Sequence, residues 1–122
     1  MMPYAKRQRP EEQLQRTVCQ FLERALPEGA VFFAIPNGHV SRLQRMRLAL
    51  GGTRSGIPDI CVIHKGKSTF IELKSARGVL SPAQKHMHTQ LVLAGAVVFT
   101  AKTLAQVDGF LSQIMPLKAH VA

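Results

Sequence analysis

With 122 residues and 46% hydrophobic content, the chain can form one domain with a modest core, and nothing in it implies a second domain. Sixteen lysines and arginines outnumber seven aspartates and glutamates, and the net charge of +9 favours a polyanionic partner, with nucleic acid ahead of an anionic membrane. Cys19 and Cys61 lack the spacing of a zinc site or a disulfide framework, and no signal peptide or membrane-spanning run is visible, so we expect a cytoplasmic protein with reduced thiols.

The N-terminal ten residues are polar and basic, and we expect them to form a flexible arm. Lys6, Arg7 and Arg9 could contact phosphates from that arm, or they could belong to a disordered terminus. Pro10 suits a helix start, and apolar residues then recur at spacings of three and four, which predicts an amphipathic helix that ends before Pro27.

This helix carries two glutamates in its first turn. Glu11 lies three residues before Leu14 and seven before Val18, so it borders the buried stripe. Glu12 is turned away from Glu11 by about 100°. On the residues alone, Glu11 is a carboxylate that complements the helix dipole.

The apolar segment 30–35 predicts a strand that stops at Pro36. Asn37-Gly38-His39 then has the chemistry of a tight turn, which explains these residues without any functional role. Ser41 is a suitable N-cap for a second helix, which Gly51-Gly52 would end.

Four arginines lie on this second helix or just after it. A guanidinium group matches phosphate oxygens, so they are candidate DNA contacts, although each could equally be a solvated surface charge. They are Arg42, Arg45, Arg47 and Arg54.

A β-hairpin is predicted next. Segments 60–63 and 69–71 are rich in β-branched and aromatic residues, and the five residues between them have turn chemistry. Asp59 then precedes the first strand and Glu72 lies near the end of the second. Because these ends are adjacent in an antiparallel pair, we expect the two carboxylates to converge.

The hairpin carries the groups that metal-assisted phosphodiester hydrolysis requires. Two carboxylates that meet repel each other, and a hard divalent cation is the usual way to neutralise them. Lys74 follows Glu72 by two residues, so it points to the same face of the strand. Its ammonium group could bind an anionic substrate or a developing oxyanion.

The rest of the chain predicts a helix over residues 82–93 that begins at Ser81-Pro82, a strand over 96–100, and a last helix from Thr103 through Ile114. The resulting order, αβ(α)ββαβα, predicts an α/β fold with a central mixed sheet flanked by helices.

The 82–93 helix carries three polar residues whose roles need to be considered. On the residues alone, Gln84 is a capping or surface amide. His86 and His88 are two residues apart, which separates them by roughly 200° on a helix and makes them a poor metal pair.

Pro58-Asp59 followed by Glu72-Leu73-Lys74 resembles the PD-(D/E)XK nuclease signature. The resemblance becomes more specific when the flanking residues are included, which are Gly56-Ile57 before the signature and Leu80-Ser81-Pro82-Ala83-Gln84 after it. The whole succession is similar to the VRR-NUC branch, the virus-type replication and repair nucleases. The match spans roughly Glu11 to Leu111 and implies a restriction-endonuclease-like core.

The resemblance implies a site for Mg²⁺ or Mn²⁺. Asp59 and Glu72 would be its ligands, with the carbonyl of Leu73 as an additional one. Nucleases of this kind carry a glutamate on the first helix before a Leu-Gln pair, which indicates Glu11 as a nearby catalytic carboxylate, with Glu12 as the fallback.

The resemblance also assigns two polar residues outside the hairpin. Gln84 would lie near the catalytic Lys74, where an amide can hold a ligand or water. Asn37 would border the active cleft and contact DNA.

The predicted function is therefore that of a metal-dependent DNA endonuclease whose nuclease domain is residues 11–115, between an arm of residues 1–10 and a tail of residues 116–122. The resemblance implies branched DNA (a flap, fork or Holliday-type junction) in replication, recombination or repair, and a phage or bacterial origin. A junction offers two symmetric strands to a small chain, which predicts a homodimer.

Three alternatives stay open. The first is a restriction-type endonuclease acting on linear duplex. The second is a non-catalytic nucleic-acid-binding protein of the same fold, and the third is a partner-binding subunit whose basic surface is merely solvated.

Overall fold

The computed structural model describes residues 4–36 and 41–122, the side chains of residues 4–9 excepted. Within these ranges, helices and strands follow one another in the predicted order. Their bounds are α1 Tyr4–Ala25, β1 Val31–Ala34, α2 Arg42–Leu50, β2 Ile60–His64, β3 Lys67–Leu73, α3 Pro82–Leu93, β4 Val97–Ala101 and α4 Leu104–Ser112.

The strands form one mixed sheet in the order β1-β2-β3-β4. Neighbours among β1, β2 and β3 are antiparallel, whereas β3 and β4 are parallel and are connected through α3. The predicted α/β fold with a mixed sheet is confirmed. The β2–β3 turn consists of Lys65 and Gly66, with φ of 51° and 77°, and two left-handed residues suit a tight hairpin.

The hydrophobic core lies on one face of the sheet. Ile60, Val62 and Ile71 are inaccessible to solvent there and pack in one cluster with apolar residues of α1 and α4. Because side chains alternate along a strand, Glu72, which lies between the core residues Ile71 and Leu73, projects from the opposite face. Helix α3 lies on that opposite face, since its side chains contact Glu72.

The predicted starts of three helices are confirmed. Ser41, Ser81 and Thr103 are the N-caps of α2, α3 and α4, and each side-chain oxygen accepts the backbone N–H of the residue three positions later. Helix α3 has the predicted bounds, whereas α4 ends at Ser112 and not at Ile114.

The predicted start of the first helix at Pro10 is wrong, because α1 begins at Tyr4 and contains that proline. The residues between them are mostly good helix formers, and their propensity favours a continuous helix although Pro10 removes one backbone donor and crowds the preceding turn. The division of the chain at residues 10 and 115 stays a prediction.

The segment after α4 packs back onto the domain. Met115 is buried, and the backbone N–H of Lys118 donates to the Ala25 carbonyl oxygen at 2.7 Å. Asp108 in α4 holds the last residues, because its carboxylate lies 2.9 Å from His120 Nδ1 and accepts the Val121 N–H at 2.7 Å.

Two further features concern surfaces. None of the residues of α2 is buried. In the part of the chain that the structure describes, no helix is both long enough and apolar enough to cross a membrane.

Candidate active site

Asp59 lies immediately before β2 and is fixed to the end of β3. Its backbone N–H donates to the Ile71 carbonyl oxygen at 3.1 Å, and its Oδ2 accepts the Leu73 N–H at 2.7 Å. The hairpin register pairs Ile60 with Ile71, so Asp59 and Glu72 lie at the same end of the hairpin. The predicted convergence of the two carboxylates is therefore present.

Glu72 is buried, with only 2% of its surface exposed to solvent. Burial, followed by a hydrogen bond with Asp59 and the charge of Asp59, raises its pKa from 4.5 to about 9; Glu11 adds to this rise and Lys74 opposes it. Without a cation, Glu72 is therefore protonated at neutral pH. The site has more acidic groups than its own positive charge can neutralise.

Lys74 is half-buried one position beyond β3, on the face that carries Glu72. Its backbone N–H donates to the Ala101 carbonyl oxygen at 3.0 Å, which fixes the main chain at this point. The ion pairs within the described residues are two histidine–carboxylate pairs, so the Lys74 ammonium group is not held in one there. It is available to an anionic substrate.

Glu11 brings α1 to the same edge of the sheet. Its Oε1 accepts the backbone N–H of Ser75 at 3.3 Å, one residue after Lys74. The charge of Glu11 contributes to the raised pKa of Glu72, whereas Glu12 is exposed. Of the two glutamates considered from the sequence, Glu11 is the one beside the cluster.

Gln84 and His88 of α3 contact the two oxygens of Glu72. Gln84 Nε2 donates to Oε2 at 3.4 Å, while Gln84 Oε1 accepts the Ser81 N–H at 2.9 Å in a capping box. His88 Nε2 lies 3.0 Å from Oε1. Burial lowers the pKa of His88, and the charge of Lys74 lowers it further while that of Asp59 raises it.

The sequence allows Gln84 and His88 on one face of the helix, but no role for His88 was predicted, because His88 was considered only as a metal ligand together with His86. The relevant spacing is four residues, from Gln84 to His88, since residues at i and i+4 share one face of a helix. The structure leaves His86 exposed.

Gly56 joins the loop before Asp59 to the first turn of α3. Its φ is +79°, and a Cβ added there would lie 2.3 Å from the Ala83 carbonyl oxygen and 2.9 Å from the Gln84 backbone nitrogen. Only glycine allows this approach. The position of Asp59 and that of Gln84 are therefore coupled through one backbone contact.

The four arginines predicted to contact DNA lie on the surface and make no described contact with Asp59 or Glu72. Arg42, Arg45, Arg47 and Arg54 are all exposed, as a surface that binds phosphates requires. The predicted contact at Asn37, and the neighbouring His39, lie outside the described residues. The same holds for the side chains of Lys6, Arg7 and Arg9.

The donor groups fit a hard divalent cation. The carboxyl groups of Asp59 and Glu72 share a hydrogen bond, and a cation between them would offset both the burial and the repulsion that raise the pKa of Glu72. Residues 4–36 and 41–122 contain no cluster of three or more histidine, cysteine, aspartate or glutamate side chains arranged to hold a metal. Any remaining ligands would be backbone oxygens, such as the Leu73 carbonyl, and water.

Comparisons with known proteins agree on one family. A family model described as the VRR-NUC domain matches residues 4–102. A solved structure described as a VRR_NUC domain protein has a TM-score of 0.70 at 22% identity, over 85% of this chain and 86% of that one. Another, described as a VRR_NUC domain, has a TM-score of 0.60 at 23% identity, over 86% and 97%. A search of curated proteins finds no match.

The matched residues include the whole cluster, from Glu11 on α1 to His88 on α3. The two structures, at their low identities, establish the fold, and the four-stranded mixed sheet flanked by helices agrees with it. The match to the family model covers most of the chain, and so the chain belongs to the VRR-NUC family, nucleases of the PD-(D/E)XK type.

Proposed function

We propose that this protein is a Mg²⁺- or Mn²⁺-dependent DNA endonuclease that cuts branched DNA, such as a flap, a fork or a four-way junction. The observation that carries the proposal is the pairing of Asp59 with the buried Glu72, whose pKa is raised to about 9. Beside them lies the ammonium group of Lys74, which forms no ion pair with any described residue. Such a carboxyl pair is stable in its ionised form only with a cation between the carboxylates.

Each residue of the cluster has a separate task. Asp59 and Glu72 would hold the cation, and the Leu73 carbonyl would add a backbone oxygen. When bound, the metal supplies a Lewis acid for the phosphate and lowers the pKa of a water molecule. Lys74 donates to a phosphate oxygen and stabilises the negative charge that develops there. Glu11 keeps the local charge negative enough to favour a divalent ion.

Binding of the DNA backbone is assigned to the basic surface. The net charge of +9 and the exposed arginines Arg42, Arg45, Arg47 and Arg54 support this assignment. Contacts of this kind depend strongly on salt, because each neutralised phosphate releases counterions. They bind without reading sequence, which suits an enzyme that recognises the shape of a junction.

A homodimer is part of the proposal. Val31 and Phe33 of β1 and Ile63 of β2 lie on one face of the sheet and expose 59%, 46% and 38% of their surface. In the described sheet, β1 is also an edge strand, with backbone groups free to pair. A second copy packed there would bury apolar surface and supply a second site for the opposite strand of a junction.

The proposal is tested with labelled linear, flap, fork and four-way DNA in Mg²⁺, Mn²⁺, Ca²⁺ or EDTA. We expect cleavage of the branched substrates in Mg²⁺ or Mn²⁺ and none in EDTA. Asp59→Asn should lower the cleavage rate by at least about 10³-fold and keep salt-dependent DNA binding, because it removes a metal ligand and no phosphate contact.

The alternatives give different results in the same panel. Sequence-specific cutting of linear duplex would indicate a restriction-type enzyme. Binding without cleavage under all metal conditions would indicate a non-catalytic protein, although the intact Asp59, Glu72 and Lys74 argue against it. Absence of salt-dependent DNA binding would contradict the proposal altogether.

A further inference from the structure

The buried carboxylate of Glu72 is contacted from a helix as well as from its own sheet. Gln84 Nε2 and His88 Nε2 come from the same face of α3 and contact Oε2 and Oε1, at 3.4 and 3.0 Å. Two contacts on the two oxygens of one carboxylate fix both its position and the plane of the group. Each oxygen has two lone pairs, so once the proton that Glu72 uses to bond with Asp59 is lost, these contacts leave one lone pair on each oxygen for a cation.

His88 makes the shorter of the two contacts, and only 13% of its side chain is exposed to solvent. Its ring borders a groove of about 370 Å³ whose lining also includes Phe99 and Thr100. Thr100 of β4 is the neighbour of Glu72 across the parallel β3–β4 pair. The imidazole therefore lies beside the groove between α3 and the strand that flanks Glu72.

Of the two α3 residues that contact Glu72, only Gln84 has a second structural role in the described contacts. Gln84 also closes the capping box of α3 through its Oε1, so its position follows from the helix start. His88 has no such duty among the described contacts. The contact of His88 with Glu72 is therefore not explained by the formation of α3.

We propose that His88 is a positioning residue that donates its Nε2–H to Glu72 and thereby sets the affinity of the site for the divalent cation. The proposal rests on the proposed function, since it needs Glu72 to be a metal ligand. Groups that orient metal ligands typically change metal affinity by about 10- to 100-fold when they are removed.

The test uses His88→Phe, which keeps a ring in the same space and removes the donor. Two quantities are measured: the dissociation constant for Mn²⁺, by electron paramagnetic resonance of the free ion, and the Mn²⁺ concentration that gives half-maximal cleavage of the best DNA substrate. We expect both to rise by about 10- to 100-fold, with the cleavage rate at saturating Mn²⁺ within a few-fold of the wild type.

Two further variants separate positioning from packing. His88→Gln can bring an amide N–H near the position of Nε2 and should recover most of the metal affinity. His86→Phe makes the same substitution at the exposed histidine two residues earlier and should behave as the wild type. If His88→Phe does not fold, His88→Asn, whose shorter amide cannot reach Oε1, is measured in its place.

The outcomes for the two proposals are distinct. If the wild type binds Mn²⁺ and cuts DNA, and folded His88→Phe matches His86→Phe in its dissociation constant, the role of His88 is refuted and the nuclease stands. If Mn²⁺ affinity depends on His88 but no DNA is cut, the role of His88 stands and the nuclease proposal fails. A wild type that binds no Mn²⁺ overturns both.

Discussion

Burial of Glu72 favours its neutral form, whereas binding of a cation requires its ionised form. A carboxyl group that is 2% exposed and adjacent to Asp59 is neutral in the metal-free protein at pH 7. The same group must be ionised to bind a cation. The folded protein therefore retains an acidic pair that becomes favourable only when a positive charge is added.

The pH dependence of stability in EDTA should report this pair. The pKa of Glu72 is raised from 4.5 to about 9, so the protonated group favours the folded state. The contribution of this group to the free energy of unfolding is fully present below pH 4.5 and is lost as the pH rises towards about 9. Between those limits, the loss should be about 1 kcal/mol per pH unit.

Glu72→Gln should remove this loss, because an amide cannot ionise. The measurement is the free energy of unfolding in urea between pH 5 and 8, with Glu12→Gln, at an exposed position, as the control. In EDTA, the free energy of unfolding of Glu72→Gln should rise relative to that of the wild type as the pH increases. A constant difference across this range would contradict the raised pKa.

At the scale of elements, the site is an assembly of three parts. The hairpin brings Asp59 and Glu72 together, α1 contributes Glu11, and α3 contributes Gln84 and His88. The hairpin could be predicted from its own residues, because its two strands and its turn are local, whereas Glu11 and Gln84 were expected at the site only through the family resemblance. The contacts of α1 and α3 join residues that are far apart in the chain and depend on packing.

Gly56 and Gly66 offer a matched comparison of how the elements are joined. Their φ angles are +79° and +77°, but a Cβ on Gly66 would meet nothing within 4 Å, whereas one on Gly56 would overlap the backbone of Ala83. Gly66→Ala should therefore cost about 1 kcal/mol of unfolding free energy, through backbone strain alone.

Gly56→Ala should cost about 3 kcal/mol or more, because the loop or α3 must move in addition. It should also lower DNA cleavage by 10-fold or more, on the order of the effect of misplacing catalytic groups. Chemical denaturation and cleavage assays on both variants provide the measurement. Equal losses of stability would show that the contact with α3 is unimportant.

At the scale of the whole molecule, the C-terminal segment joins α4 to α1. The Asp108 carboxylate accepts the Val121 N–H and lies against His120 and Ser112, and these contacts lower its pKa, the Val121 hydrogen bond most. A lowered pKa means that the ionised group stabilises the folded state above its ordinary value of 3.8. The stabilisation is lost as pH falls below that value.

Asp108→Asn should lower the free energy of unfolding by about 2 kcal/mol at pH 7, since hydrogen bonds to a charged group are lost. The difference from the wild type should shrink as pH falls from 4 to 3. Thermal melts over pH 3–7 provide the measurement, again with Glu12→Gln as the control. A difference that persists unchanged at low pH would argue against an ionised Asp108.

The exposed strip of Val31, Phe33 and Ile63 makes a prediction about assembly. Phe33→Glu should shift a dimer to monomer in sedimentation experiments, because a charge on each copy would be buried at the interface. Lys67→Glu, exposed and on the opposite face of the sheet from this strip, is the control for added negative charge. A wild type that is monomeric at all concentrations would exclude the homodimer.

The sequence by itself determined the order of elements, the mixed sheet, the caps at Ser41, Ser81 and Thr103, and the meeting of Asp59 with Glu72. These follow from local patterns and from the geometry of a hairpin. Only the tertiary structure decided that Glu11 rather than Glu12 lies beside the cluster, that His88 contacts Glu72, and that Gly56 packs on α3. The physical reason is that a local pattern gives the face on which a side chain lies, whereas its partner depends on how distant elements pack across the sheet.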